Sequence, residues 1–219
     1  MVFKSLKGLF GGSAEPTIPD VPAPLGLRLG RAVSMDVMRL RLESGRLAVS
    51  IPSETLVISG HGTATLDGAG VIHRFYDDSH AMLQILCVGG VTDDCIREIT
   101  LYVPWDEVVP TTAAEWATWD GEGGRIGSAL FEADGFRFAR VWGEPSTPWI
   151  SPAEFVEEVV TDDGQRRSIH QKVVPYRREV GGLVETLMLA VERDLASRDR
   201  GSVTFMIGYG LAKADVVPV

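Results

Sequence analysis

Residues 71–103 read Val71-Ile-His-Arg-Phe-Tyr76-Asp-Asp-Ser-His80-Ala-Met82-Leu-Gln-Ile-Leu-Cys-Val88-Gly-Gly-Val-Thr-Asp-Asp-Cys95-Ile96-Arg-Glu-Ile-Thr-Leu-Tyr-Val103. Three stretches of about seven residues, rich in β-branched and aromatic side chains, are separated by two short clusters of Asp, Ser, Thr and Gly. Such clusters bond to their own backbone and make turns, so the pattern predicts three consecutive antiparallel strands. Residues 82–88 are apolar almost throughout, as in a strand covered on both faces. In residues 96–103, Ile99, Leu101 and Val103 share one side, and Pro104 is expected to end the strand.

The same two-residue period extends outward in both directions. Met38, Leu40 and Leu42 alternate with Arg39, Arg41 and Glu43. After Ser44-Gly45, Leu47, Val49 and Ile51 alternate again, which predicts a hairpin with one wet face. Residues 55–59 and 63–67 read as strands, the latter entering a turn at Asp67-Gly68. Thr112-Ala-Ala-Glu115 is a capping box in front of Trp116, Ala117 and Trp119 and predicts a short helix. Residues 126–131 and 136–142 pair across Asp134-Gly135. Residues 155–160 and 166–179 pair across Asp162-Asp163-Gly164, with Pro175 expected to turn part of the second arm into an edge or a bulge. Residues 183–198 fit either a helix, through Leu183, Leu187, Val191 and Leu195, or a strand, while 203–211 read as a strand. No repeat of 20–50 residues is present. The fold class is mainly β: an antiparallel sandwich or partly closed barrel with one or two short helices, formed by residues 25–219 as a single domain.

Composition agrees. The 219 residues are 45% apolar and 23% charged, with 24 glycines, which suits a turn-rich globular chain. The formal charge of −9 opposes general attraction to phosphates, so nucleic acid is not an expected partner. No run of 18 apolar residues occurs, and the start lacks the apolar block of a secretory signal, so a cytoplasmic protein is expected. There Cys87 and Cys95 are expected to be free thiols.

The charge is unevenly divided. Residues 1–11 contain Lys4 and Lys7 and no acid, leaving 19 Lys and Arg against 30 acids elsewhere. Wound as a helix, Val2, Phe3, Leu6, Leu9 and Phe10 fall within an arc of roughly 120°, with both lysines outside it. That pattern fits an anionic membrane surface or a partner helix, giving one weak, reversible anchor. It fits equally a segment that docks on its own domain or on a second copy. Residues 12–24, with four prolines, form a linker.

Chemical motifs are sparse. Neither G-x-G-x-x-G, the phosphate-binding P-loop, H-E-x-x-H nor G-x-S-x-G occurs. No catalytic residue, metal ligand set or cofactor is therefore assigned. The densest polar cluster is Tyr76, Asp77, Asp78 and His80, between two strands. It reads as an ordinary turn, as a site for a divalent cation, or as a small-ligand or enzymatic site, which requires the four side chains to converge on a cavity. The five tryptophans lie within 45 positions and read mainly as core. Arg166-Arg167 and Arg177-Arg178 read as the solvated face of an edge strand.

The order Arg74-x-Tyr76, Met82-Leu83-Gln84, Leu101-Tyr102, Trp149, Phe155-x-Glu157, His170…Tyr176-x-Arg178, Glu192 and Ile207-Gly208-x-x-Leu211 resembles the YjfK-like family of uncharacterised bacterial proteins. The resemblance spans about residues 25–211 and favours a strand at 184–192. It supplies no catalytic residues. What it implies is context, because such proteins are often encoded beside PspA-type membrane-stress proteins and small membrane proteins. The expectation is a non-enzymatic adaptor at the inner membrane surface, in contact with a PspA-type or small membrane protein. The alternatives are the ligand site at Tyr76–His80 and an oligomerising structural protein.

Overall fold

The computed structural model describes residues 22–197 and 201–219. The proposals for residues 1–11 and for most of the linker lie outside the described residues. The described chain holds thirteen strands and two short α-helices. β1 (Ala32–Met35) and α1 (Met38–Leu42) precede β2 (Thr55–Val57). β3 (Gly60–Leu66), β4 (Gly70–Tyr76), β5 (Met82–Val88) and β6 (Ile96–Val108) follow as a meander. After α2 (Ala113–Asp120) come the hairpin β7 (Leu130–Ala133) and β8 (Phe136–Arg140). A second meander is formed by β9 (Ala153–Thr161), β10 (Arg166–Val180), β11 (Leu183–Asp194) and β12 (Gly201–Leu211). β13 (Val216–Pro218) ends the order.

The two meanders close on each other. β12 pairs with β6, and β9 pairs with β3, all antiparallel, so β3-β4-β5-β6-β12-β11-β10-β9 form a closed eight-stranded barrel. Closure is complete, and it removes the exposed strand edges that an open sheet of this length would carry. β8 and β7 extend the sheet beyond β10, and β13-β1-β2 form a separate small sheet.

Register assigns the faces. Arg74, Gln84, Thr100, Gly208, Met188, Gln171, Glu157 and Gly62 lie on the lumen side, because cross-strand partners share a face. Phe75, Leu83, Ile85, Leu101, Ile207, Leu187 and Tyr176 face outward. They are nonetheless fully buried, in one cluster with Val33 and Met35 of β1, Leu56 of β2 and Val216 of β13. The main apolar core therefore lies outside the barrel wall, between it and the small sheet, and a smaller one around Met82, Tyr102, Val173, Met188 and Ala190 lies inside.

Several local expectations are corrected. Residues 38–51 do not form a hairpin. Met38–Leu42 is a helix that buries only Leu40, followed by a 3-10 turn at Ser44–Arg46 and an irregular segment. Met, Arg and Leu are strong helix formers, and five residues are too few for alternation to distinguish the two periods. The irregular segment is fastened to the barrel wall instead of to a partner strand: the Ala48 N–H donates to the Glu185 carboxylate at 2.8 Å, and Arg178 donates to the Arg46 carbonyl at 3.1 Å.

Neither proline interrupts its strand. Between Asp106 and Pro104 the β6–β12 register slips by one residue, so Pro104 sits at a bulge that throws Trp105 outward onto Phe136, Phe138 and Phe205. Pro175 lies where β10 exchanges β9 for β8 as its neighbour. Its carbonyl accepts from the Val141 N–H at 3.0 Å, and its absent N–H falls where no strand requires one. β10 is internal, not an edge. Arg178 pairs with Glu185 and lies over the Phe136 ring, so it is part of the packing and not a solvated face.

The expected capping box at Thr112 and Glu115 is present, residues 183–194 are strand, and Cys87 and Cys95 are free. The tryptophans are less buried than expected: Trp119 is buried and meets Phe205 edge to face, Trp105, Trp116 and Trp149 are half-buried, the Trp149 indole donating to the Ile126 carbonyl, and Trp142 is exposed.

Two lumen glycines are required by close approach. A Cβ on Gly62 would fall inside the Glu157 carboxyl group, and one on Gly208 would lie 2.5 Å from the Tyr102 ring. Gly60, two residues away on the same face, has ordinary room, its nearest neighbour being Tyr76 at 3.5 Å. Gly62→Ala is therefore expected to lower unfolding stability by about 2–3 kcal/mol, and Gly60→Ala by less than about 1 kcal/mol. Urea denaturation of the two variants measures the difference; equal losses would contradict this packing.

Candidate functional site

The lumen is divided by a polar layer. Arg74 reaches in from the middle of β4 and is 2% exposed. Its Nε donates to Gln84 of β5 at 2.9 Å, and its Nη1 donates to Glu157 of β9 and to Gln171 of β10, each at 2.7 Å. Its Nη2 lies 3.5 Å from the Met188 sulfur of β11. Glu157, wholly buried, also accepts from the Tyr76 hydroxyl at 2.6 Å and from the Gln171 amide at 2.6 Å. Burial works against the guanidinium's charge, but Glu157, followed by Tyr76 and Glu192, together more than offset this, and the Arg74 pKa is raised. Tyr76 is pushed well above its ordinary value by burial and by Glu157, so it stays a neutral donor.

Above this layer the barrel is open at one end. A cavity of about 560 Å³ lies between the start of β3, the β4–β5 turn, the far end of β6 and the adjoining ends of β9 to β12. That volume falls in the range of small-molecule sites. Its floor carries Tyr76, Gln171, Glu192 and Thr204, and its aliphatic walls come from Pro104, Val159, Ile169 and Met206. The rim holds Asp77, Asp78, Asp106 and Glu107 with His80 and Arg167.

Glu192 is the titratable group of the floor. The Thr204 hydroxyl donates to it at 3.3 Å. Burial, followed by repulsion from Glu157, raises its pKa to about 7, while Arg74 acts in the opposite direction. A carboxyl that changes charge near neutrality at the base of a cavity marks a site by its physics.

All four residues of the Tyr76–His80 cluster line this one cavity, in different ways. Tyr76 points inward and bonds to the polar layer. Asp77 caps its own turn, accepting from the Ser79 N–H, the Ser79 hydroxyl and the Ala81 N–H at 2.7–2.9 Å. Asp78 and His80 are exposed on the rim, and His80 occupies the left-handed region at φ 64°. Arg74, Glu157, Gln171 and Glu192 were not among the candidate site residues. The available signal was a polar residue standing at an otherwise apolar position, as Gln84 does within residues 82–88.

A family model matches residues 3–217. The chain belongs to the family described as protein of unknown function DUF2491. Comparison with curated proteins and with solved structures gives no match. Among the described residues, no group of three or more His, Cys, Asp or Glu side chains is arranged to hold a metal ion. No helix among them is long and apolar enough to cross a membrane.

Glu192 gives a pH signature. Below about pH 4.5 it is protonated in both folded and unfolded chains and contributes no pH dependence. As pH rises from there to about 7, the unfolded chain releases the proton and the folded barrel retains it, so stability falls. Glu192→Gln removes this loss. The variant is expected to match the parent at pH 4.5 and to exceed it by roughly 2 kcal/mol at pH 8. Thermal unfolding across this range measures the gap; a gap independent of pH would contradict it.

Proposed function

We propose that this protein binds a small organic molecule in the open end of its barrel. The observation that carries this reading is the cavity of about 560 Å³, with a floor of Tyr76, Gln171 and Glu192 beneath aliphatic walls. A closed barrel spends its interior either on packed side chains or on a ligand. Here the lower lumen is packed, and the upper part is not. The one hydroxyl–carboxyl pair on the floor among the described residues, Thr204 with Glu192, is 3.3 Å apart, longer than the contact of an activated nucleophile with its base, so binding is the reading favoured over catalysis.

A second reading concerns residues outside the described structure. Val2, Phe3, Lys4, Leu6, Lys7, Leu9 and Phe10 have the sequence pattern of an amphipathic anchor with a basic rim. With the resemblance to YjfK-like proteins, this supports an adaptor that holds the barrel at the inner membrane surface, beside a PspA-type or small membrane protein. The two readings are compatible, the barrel sensing a ligand and the N-terminal segment supplying location.

One experiment separates them. Nile red, a neutral apolar dye, is titrated into the parent, into Thr204→Trp, which fills the cavity, and into a chain lacking residues 1–12. The parent is expected to bind with a Kd of about 1–50 µM, Thr204→Trp at least about tenfold more weakly with its unfolding midpoint retained, and the truncated chain as the parent does. Co-sedimentation with anionic vesicles is expected to be lost in the truncated chain alone. Equal dye binding by Thr204→Trp and the parent would overturn the cavity reading, and salt-independent sedimentation of both full and truncated chains would overturn the anchor.

A further inference from the structure

The charge arrangement of the cavity names the class of ligand, provided the cavity is a binding site as proposed above. Arg74 is the cation nearest the floor, and its charge is already committed. It is paired with Glu157 and shared with Gln84 and Gln171, and it is sealed beneath the cavity instead of lining it. Glu192 does line the cavity. It accepts a long hydrogen bond from the Thr204 hydroxyl, and among the described residues no Lys, Arg or His lies within ion-pair distance of it. It is thus a carboxyl group at the base of a concavity, without a cationic partner of its own.

The groups facing Glu192 from the surrounding elements reinforce this. Glu107 of β6 is acidic, Gln171 of β10 and Thr204 of β12 are neutral, and Arg74 of β4 and Glu157 of β9 are paired with each other and act on Glu192 in opposite directions. The rim adds Asp77, Asp78 and Asp106, against the bases His80 and Arg167. An anionic ligand would meet repulsion both on entry and at the floor. A neutral one would leave the Glu192 carboxyl protonated beneath it and gain nothing from its charge.

We propose that the cavity takes an organic cation, a primary amine on a short aliphatic body, with its ammonium group against the Glu192 carboxylate and its chain along Pro104, Val159, Ile169 and Met206. Binding then draws the Glu192 proton off, because an ammonium beside the carboxyl favours its charged form. Occupancy is accordingly tighter at pH 8 than at pH 5, where an aliphatic amine is still fully charged and Glu192 is the group that changes.

The test uses the full chain and three ligands of one length: 1-aminohexane, 1-hexanol and hexanoate, each titrated against bound Nile red at pH 5 and pH 8. The amine is expected to displace the dye at about tenfold lower concentration than the alcohol at pH 8. The advantage should shrink to about twofold at pH 5, and hexanoate should be the weakest of the three. In Glu192→Gln the amine and the alcohol are expected to become equal at both pH values. Dye displaced equally well by amine and alcohol at pH 8 would overturn the amine assignment while leaving the cavity reading intact. Dye that never binds would overturn both. An amine advantage that persists in Glu192→Gln would overturn the role of that residue.

Discussion

A guanidinium buried at the centre of a β-barrel constrains everything around it. Removing Arg74 from water without compensation would cost far more than the whole fold is worth, so its partners must all be in place at once. They arrive from four other strands: Gln84 from β5, Glu157 from β9, Gln171 from β10 and the Met188 sulfur from β11. A one-residue slip in any of these strands would turn its partner out of the lumen. The layer therefore specifies register across the seam between the two meanders, β3 with β9, where sequence separation is large and turns give no guidance. Gly62 on β3 belongs to the same arrangement, because Glu157 occupies the volume its side chain would need.

That layer also explains why the two ends of the lumen differ. Below it, Tyr102, Thr100 and Gly208 close the interior with side chains and backbone. Above it, the β4–β5 turn and the β6 bulge at Pro104 form a rim rather than a lid, and the cavity remains. Glu192 lies at the boundary. It is close enough to Glu157 for that carboxylate to oppose its ionisation, yet open to whatever enters from the mouth. The exterior is held by different means. The outward-facing Glu185 is wholly buried, accepts from the Tyr209 hydroxyl at 2.7 Å and from the Ala48 N–H, and pairs with Arg178. These contacts fasten residues 43–51 to the wall where the small sheet and the apolar core meet.

The local structure was legible where local forces decide it. Runs of strand-forming residues between turn clusters located β4, β5 and β12, Asp-Gly marked the β7–β8 turn, and Thr112 with Glu115 marked α2. Alternation failed at residues 38–51, where five alternating residues satisfy either period and a tertiary anchor at Glu185 decides. Closure of the barrel was not legible, because it rests on pairings between distant strands, β12 with β6 and β9 with β3. The site was legible only at its rim. Tyr76, Asp77, Asp78 and His80 stand together in sequence, whereas Glu157 sits in Phe155-Val-Glu-Glu-Val159 and reads as part of a wet face. Only closure turns that face inward and makes a carboxylate there the partner of Arg74.

The central claim is that Arg74 and Glu157 act as one unit that holds the two meanders in register. A double-mutant cycle tests it, with Arg74→Met, Glu157→Gln and the double variant unfolded in urea at neutral pH. Each single change leaves a buried group without its counter-charge and is expected to cost about 3–5 kcal/mol, while the double variant recovers at least about 2 kcal/mol of the summed loss. Losses that add to within about 0.5 kcal/mol would contradict the account, because the barrel would then be held together without this pair.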